Sequence, residues 1–232
     1  VFRAVGGNHH SAFPLAMVYA AMAESLKLMC DQMDAGKFVD EVIRVTIQEN
    51  LGALFSGDGY SSELYEFAEK GKLFHLKSSP EAYQELTSEK NLKLFTELGI
   101  FTDREIHARQ IVLLEAFAME IWIEARTLLD ILQTRILPVA MEAARLDDKS
   151  GFTSKLLSEK KDLVQRLLTE TDKLSGAFQG YPEEDPLQSA FYAQETIKAA
   201  MASARAVADK LEGLVDHRLW PFPTYSDLLL EH

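Results

Sequence analysis

Six histidines, one cysteine and a glycine-flanked aspartate are the groups in this 232-residue sequence whose types invite chemistry. His9 and His10 are the first place to look for a metal. Adjacent residues rarely converge on one ion, however, and no cysteine or paired carboxylate stands near them at ligand spacing. The stretch "HHSAFP" therefore reads as polar capping ahead of a helix. His107 in "REIHARQ" shares a helix with Arg104 and Arg109, the setting of a solvated or ion-paired imidazole. "GDGYS" has a fragment of a calcium loop but lacks the alternating oxygen ligands and closing Glu, so it is a turn first and a site-facing loop second. Cys30 lies among apolar helical residues in "LKLMCDQM", where an inert core thiol is expected. Arg3 is the one charge in the apolar run Val1-Phe2-Arg3-Ala4-Val5, which predicts a short strand, and Gly6-Gly7 then turns the chain. P-loop, G-x-G-x-x-G, G-x-S-x-G and H-E-x-x-H motifs are all missing, so motif chemistry names no reaction.

The elements that must position these groups are helical. A helix is predicted over 11–34, with Pro14 in its first turn and Leu15, Val18, Met22, Leu26 and Met29 at helical spacing, ended by Gly36. A second is predicted over 38–55, with Val39, Val42, Ile43, Ile47, Leu51 and Leu54 on one face. Ser61 or Ser62 caps a third, Pro80 opens a fourth, and Ser88 caps a fifth. The dominant element starts at Thr102, whose capping box with Glu105 precedes apolar residues at 111, 114, 118, 121, 125, 128 and 132. Pro138 is expected to kink or end it. Two further long helices, over 153–178 and 187–215, flank the connector "QGYPEEDP" and predict an antiparallel hairpin packed on the 102–145 helix. The alanine-rich stripe "AAMASARAVA" of the last helix allows close packing, and "WPFPTYSDLL" closes the chain as an irregular aromatic tail. Leu230-Glu231-His232 reads as the remnant of an expression tag.

Composition narrows the function. Apolar residues make up 47% of the chain, enough for a real core. A net charge of −12 leaves no basic patch to neutralise phosphates, which argues against nucleic acid and against an anionic membrane surface. The longest apolar run, "IVLLEAFAMEIWIEA", is interrupted by Glu115 and Glu120 and reads as a buried helix, so no membrane span is expected. The single cysteine excludes an internal disulfide and fits a reducing, cytoplasmic setting.

The ordered strings "ENLGALFSGDGYS", "SEKN", "GIFTDREIHAR", "IEA" before "ILP", and "WPFPTYSDLL" resemble the C-terminal part of a type III glutamine synthetase, over nearly the whole chain. This resemblance implies that the opening strand is left from a catalytic β-barrel, where a Glu-x-Arg strand helps hold a divalent metal and contacts the phosphate or glutamate being activated. Arg3 matches that catalytic Arg, and Val1 stands where the metal-binding Glu is expected. The loop that follows, Gly7-Asn8-His9-His10, departs from the small polar loop of the family. The implied reaction is ATP-dependent: glutamate attacks the γ-phosphate, and ammonia displaces the resulting acyl phosphate, with ATP and Mg²⁺ or Mn²⁺ in the parent enzyme.

The fold expected is thus mainly α: a helical bundle with a long helical hairpin, plus one short N-terminal strand. Residues 1–101 are expected to be the C-terminal portion of the catalytic domain, 102–229 a helical C-terminal region, and 230–232 the tag remnant. Besides Arg3, no cofactor-binding or metal-binding residue is expected, no cofactor is expected to bind this chain alone, and the isolated chain is expected to be inactive. Self-association is expected, because the parent family forms rings. The competing reading, from another class, is a stand-alone, catalytically dead helical module for partner binding or oligomerisation.

Overall fold

A computed structural model describes residues 10–59, 61–71, 73–151, 154–223 and 225–230. The strand expected over 1–5, Arg3 within it, and His9 lie outside the described residues. Among the described residues the secondary structure is helical throughout, with no strand. The chain divides into two compact units, Val1–Gln110 and Ile111–His232.

The first unit begins with α1, Ala12–Asp34, and α2, Val39–Glu49. Gly36 separates them in the left-handed region, at φ 94°, which a side chain would resist. α2 is shorter than its apolar spacing predicts. The Asn50 side chain donates to the Thr46 carbonyl at 2.8 Å and closes the last turn, leaving only a single 3₁₀ turn at Leu51–Ala53. Three short helices follow: α3 (Ser62–Lys70), α4 (Ser79–Glu85) and α5 (Glu89–Glu97). A small core of Ala20, Phe95 and Ile106 gathers Met17, Leu86, Leu92, Ile100 and Phe101 around it.

α6 (Asp103–Ile131) opens on the expected capping box: the Thr102 backbone N–H donates to Glu105 Oε2 at 2.8 Å, and the Glu105 N–H donates to Thr102 Oγ1 at 3.3 Å. These bonds hold the Glu105 carboxyl below its ordinary value. Pro138 does not end the rod. A π turn at Leu132–Ile136 widens the helix ahead of it, and α7 continues over Leu137–Lys149. A proline has no N–H to give back to the preceding turn, and a π turn re-registers the carbonyls that this leaves over.

In the second unit, α8 (Lys155–Ala177) runs into a 3₁₀ turn and the connector, after which α9 (Pro186–Tyr192), a π turn at Ala193–Ile197 and α10 (Lys198–Glu212) form the returning arm. α8 packs against α10 and α7. The core is well closed: Leu114, Ala118, Ala125, Leu132, Leu163, Leu167, Leu174, Ile197, Ala204 and Leu211 are all buried. The alanine stripe of α10 thus finds its close-packed neighbour in α8, within the same chain. Trp220 is buried, Arg135 lies over the Phe222 ring at 5.7 Å, and α11 (Tyr225–Leu230) ends the described chain.

The turn between α7 and α8 is tied by charge. Lys160 Nζ approaches Asp147 Oδ2 to 2.8 Å with only 9% of the lysine side chain exposed, and Lys161 pairs with Asp148 beside it. Among the described residues the Asp147 oxygen has no aligned hydrogen-bond donor, so the pair works by charge proximity. Removing one partner strands the other, nearly buried, charge. Asp147→Ala is expected to lower stability by about 2 kcal/mol, discounted from the buried-pair range because a lysine head can swing to water. Urea unfolding checks this, and an unchanged midpoint would show the pair to be idle.

Candidate functional site

His10 is exposed, and its Nδ1 accepts the Ala12 N–H at 3.0 Å, so it caps the start of α1 as the sequence suggests. His107 is tied to its own helix, with Nδ1 2.9 Å from the Asp103 carbonyl and 3.3 Å from its carboxylate. The 57–59 segment is a turn: the Ser61 N–H and hydroxyl both donate to the Asp58 carbonyl, at 3.1 and 2.8 Å. Tyr60 lies outside the described residues. Among the described residues no group of three His, Cys, Asp or Glu side chains comes together to hold a metal. The divalent metal implied by the resemblance therefore finds no ligand set in them. Cys30 departs from expectation, being exposed rather than buried; among the described residues of α1 only Ala20 is buried.

The string "GIFTDREIHARQ" carries much of the resemblance, and its side chains mostly hold the first unit together. Phe101 packs edge-on against Phe95 at 5.9 Å, and Ile106 is fully buried. The Arg109 guanidinium lies 4.7 Å from the Phe101 ring centre and 5.6 Å from that of Phe13, cementing α6 to α1. Gln110 Nε2 reaches the Tyr83 carbonyl at 2.9 Å and Thr87 Oγ1 at 2.8 Å, tying the end of α4 to α6.

The feature that sequence periodicity missed is exposure. On α1, Leu15, Val18, Tyr19, Met22 and Leu26 lie in solvent, and only Ala20 is buried. On α2 the same holds for Val39, Ile43 and Ile47, with Leu51 and Leu54 beyond them and only Val42 buried. Two helical stripes that read as core thus form exposed apolar faces. Surfaces of this kind mark sites of protein association. By length and composition α1 is also apolar enough to cross a membrane, with mean hydropathy 1.3 over its best window, contrary to the expectation of no such span. Glu24 and Lys27 lie within that helix.

Charges elsewhere serve the fold. The Arg218 guanidinium and backbone N–H both bond Asp216, pulling its carboxyl far below the usual carboxylate range and closing the turn before Trp220. Arg145 does the same, more mildly, for Glu142.

Comparison with known proteins supplies what this geometry lacks. A family model described as the glutamine synthetase C-terminal domain matches residues 38–147. Over 98% of its length the chain is 29% identical to a type-3 glutamine synthetase of Dictyostelium discoideum, covering 34% of that protein. It is also 29% identical to a glutamine synthetase of Bacteroides fragilis (strain YCH46), again over 98% of the chain and 35% of the relative. A glutamine synthetase of Butyrivibrio fibrisolvens is 30% identical over 82% of the chain and 29% of its own length. The chain spans about a third of the length of the first two relatives.

Proposed function

We propose that this chain, which is similar over 98% of its length to a type-3 glutamine synthetase and matches the glutamine synthetase C-terminal domain over residues 38–147, serves as the C-terminal part of an ATP-dependent ammonia ligase that makes glutamine from glutamate. On this reading residues 1–101 complete a catalytic domain and 102–229 form the helical region that follows it. Arg3 would contact the phosphate or the glutamate being activated, where a guanidinium suits planar, bidentate binding of oxyanions. ATP and Mg²⁺ or Mn²⁺ are the cofactors of the proposed reaction. The described residues offer them no ligand set, so no step is assigned to them here. Assembly into a ring of subunits and a cytoplasmic location belong to the same proposal.

The observation that carries it is the contrast between the units. The second closes its own core, whereas α1 and α2 of the first leave their apolar faces open. Such faces suit a docking surface for the remaining portion that the relatives possess. A stand-alone helical interaction module would use the same faces for a different partner.

The experiment is an activity assay in two arms. The chain alone, with glutamate, ammonia, ATP and Mg²⁺ or Mn²⁺, is expected to form no glutamine. Produced together with the remaining portion of the Dictyostelium relative, it is expected to co-purify and to restore ATP-dependent glutamine formation. Turnover by the chain alone would overturn the reading of an incomplete site. Failure to associate with that portion, with the chain folded, would favour the stand-alone module.

A further inference from the structure

The second unit contains a cavity of about 400 Å³ that nothing in the family reading uses. One wall is a single face of α6, with Glu115, Ala118, Met119 and Trp122 at helical spacing. The other is the connector and the start of α9, with Tyr181, Glu183, Pro186 and Ser189. The volume is in the range of small-molecule sites.

Both walls are held in place. The Trp122 ring meets Phe178 edge-on at 5.9 Å, and Arg126 covers it at 5.2 Å from the ring centre. Tyr181 packs edge-on against Tyr192 at 6.1 Å, and the Tyr192 hydroxyl donates to the Ala177 carbonyl at 2.9 Å. A Cβ on Gly180 would sit 2.9 Å from that hydroxyl, so a side chain there would displace the Tyr192 ring tip. The buried Ser189 hydroxyl donates to the Pro182 carbonyl, and Asp185 accepts the Leu187 N–H at 2.9 Å. The connector is thus tied down on both sides of the cavity, and a ligand would meet a preformed surface.

The charges in it are of one sign. Glu115 and Glu183 face it from opposite walls, and neither has a hydrogen bond or ion pair among the described residues. The Arg126 guanidinium is engaged with the Trp122 and Phe178 rings. An indole, a phenol and two carboxylates around an otherwise apolar space make a receptor for a cation on a hydrocarbon stem. The rings attract positive charge through their faces, the methyl and methylene groups of Met119, Ala118 and Pro186 take the stem, and the carboxylates accept its N–H groups.

We propose that this cavity binds an organic cation, an alkylguanidinium or alkylammonium group, either free or as the end of a Lys or Arg side chain. The proposal does not depend on the synthetase reading.

The test follows the indole N–H cross-peak of Trp122 by NMR in the full chain, distinguished from that of Trp220 by its loss in Trp122→Phe. Titration with n-butylguanidinium or n-butylammonium is expected to move it saturably, while butyrate at equal ionic strength leaves it in place. In the Glu115→Gln/Glu183→Gln variant, whose other cross-peaks report that the fold persists, the apparent affinity is expected to fall about tenfold or more, as loss of two charged acceptors implies. Saturation by N-acetyl-arginine amide as well as by the free cations assigns a side-chain ligand, and saturation by the free cations alone assigns a small molecule. A cross-peak that never saturates, that answers butyrate equally, or that behaves identically in the double variant overturns the proposal.

Discussion

Leu167→Ala lowers the stability of the second unit by about 3 kcal/mol, the middle of the range for truncating a buried leucine. Leu167 is fully buried at the centre of α8, between the faces that meet α7 and α10. Truncation removes methyl and methylene groups from a site whose helical walls are fixed by their own backbone bonds, so a cavity remains and its lining loses contacts. Against a total stability of about 5–15 kcal/mol this is a large share, expected to move the thermal midpoint by roughly 10 °C. Leu156→Ala is the control on the same helix. It is 52% exposed, and its replacement is expected to change stability by no more than about 0.5 kcal/mol. Thermal and urea unfolding followed by circular dichroism give both values. Equal losses for the two would mean that the hairpin core is not packed as described.

The second large effect concerns association, and it runs opposite to the first. Leu15, Leu26 and Ile47 are 49%, 58% and 52% exposed, so alanine at these positions is expected to leave the folding of the isolated chain nearly unchanged. Their value lies in what they meet. Leu15, Tyr19, Met22 and Leu26 recur every three or four residues along α1, the spacing with which a helix seats itself on a partner. If each of the three aliphatic side chains transfers its exposed half to an interface, each contributes about 1 kcal/mol. A triple Leu15→Glu/Leu26→Glu/Ile47→Glu variant removes that and adds buried charge, so association is expected to weaken at least about a hundredfold. Light scattering of the chain at micromolar concentration, and co-purification with the remaining portion of a relative, read the loss. A native chain that stays monomeric and unassociated in both settings would leave these faces without a role.

Much of this architecture is legible in the sequence because it is local. Apolar spacing of 3.6 residues marks the helices, Thr102 and Glu105 lie within one turn and cap α6, and Gly36 stops α1. Of the stripe at 111, 114, 118, 121, 125, 128 and 132, five positions are buried as the period predicts, whereas Leu128 is half-buried and Ile111 is exposed. The family strings are equally a matter of order along the chain. The role expected of Arg3, by contrast, rests on that resemblance alone, and Arg3 lies outside the described residues.

What periodicity cannot say is which neighbour a stripe will meet. The stripes of α1 and α2 have helical spacing like that of α6, yet theirs are exposed, and Cys30 is exposed with them. The alanine stripe of α10 allows close packing, but only the fold shows that the neighbour is α8. Pro138 carried a stop signal, but the packing of α7 against α8 holds the rod together through a π turn instead. The acidic aromatic cavity joins residues near 115–122 to residues near 181–189, a pairing that exists only once the connector folds back onto α6. Local hydrogen bonding and side-chain period are written residue by residue, whereas burial is a relation between distant segments, and only their packing decides it.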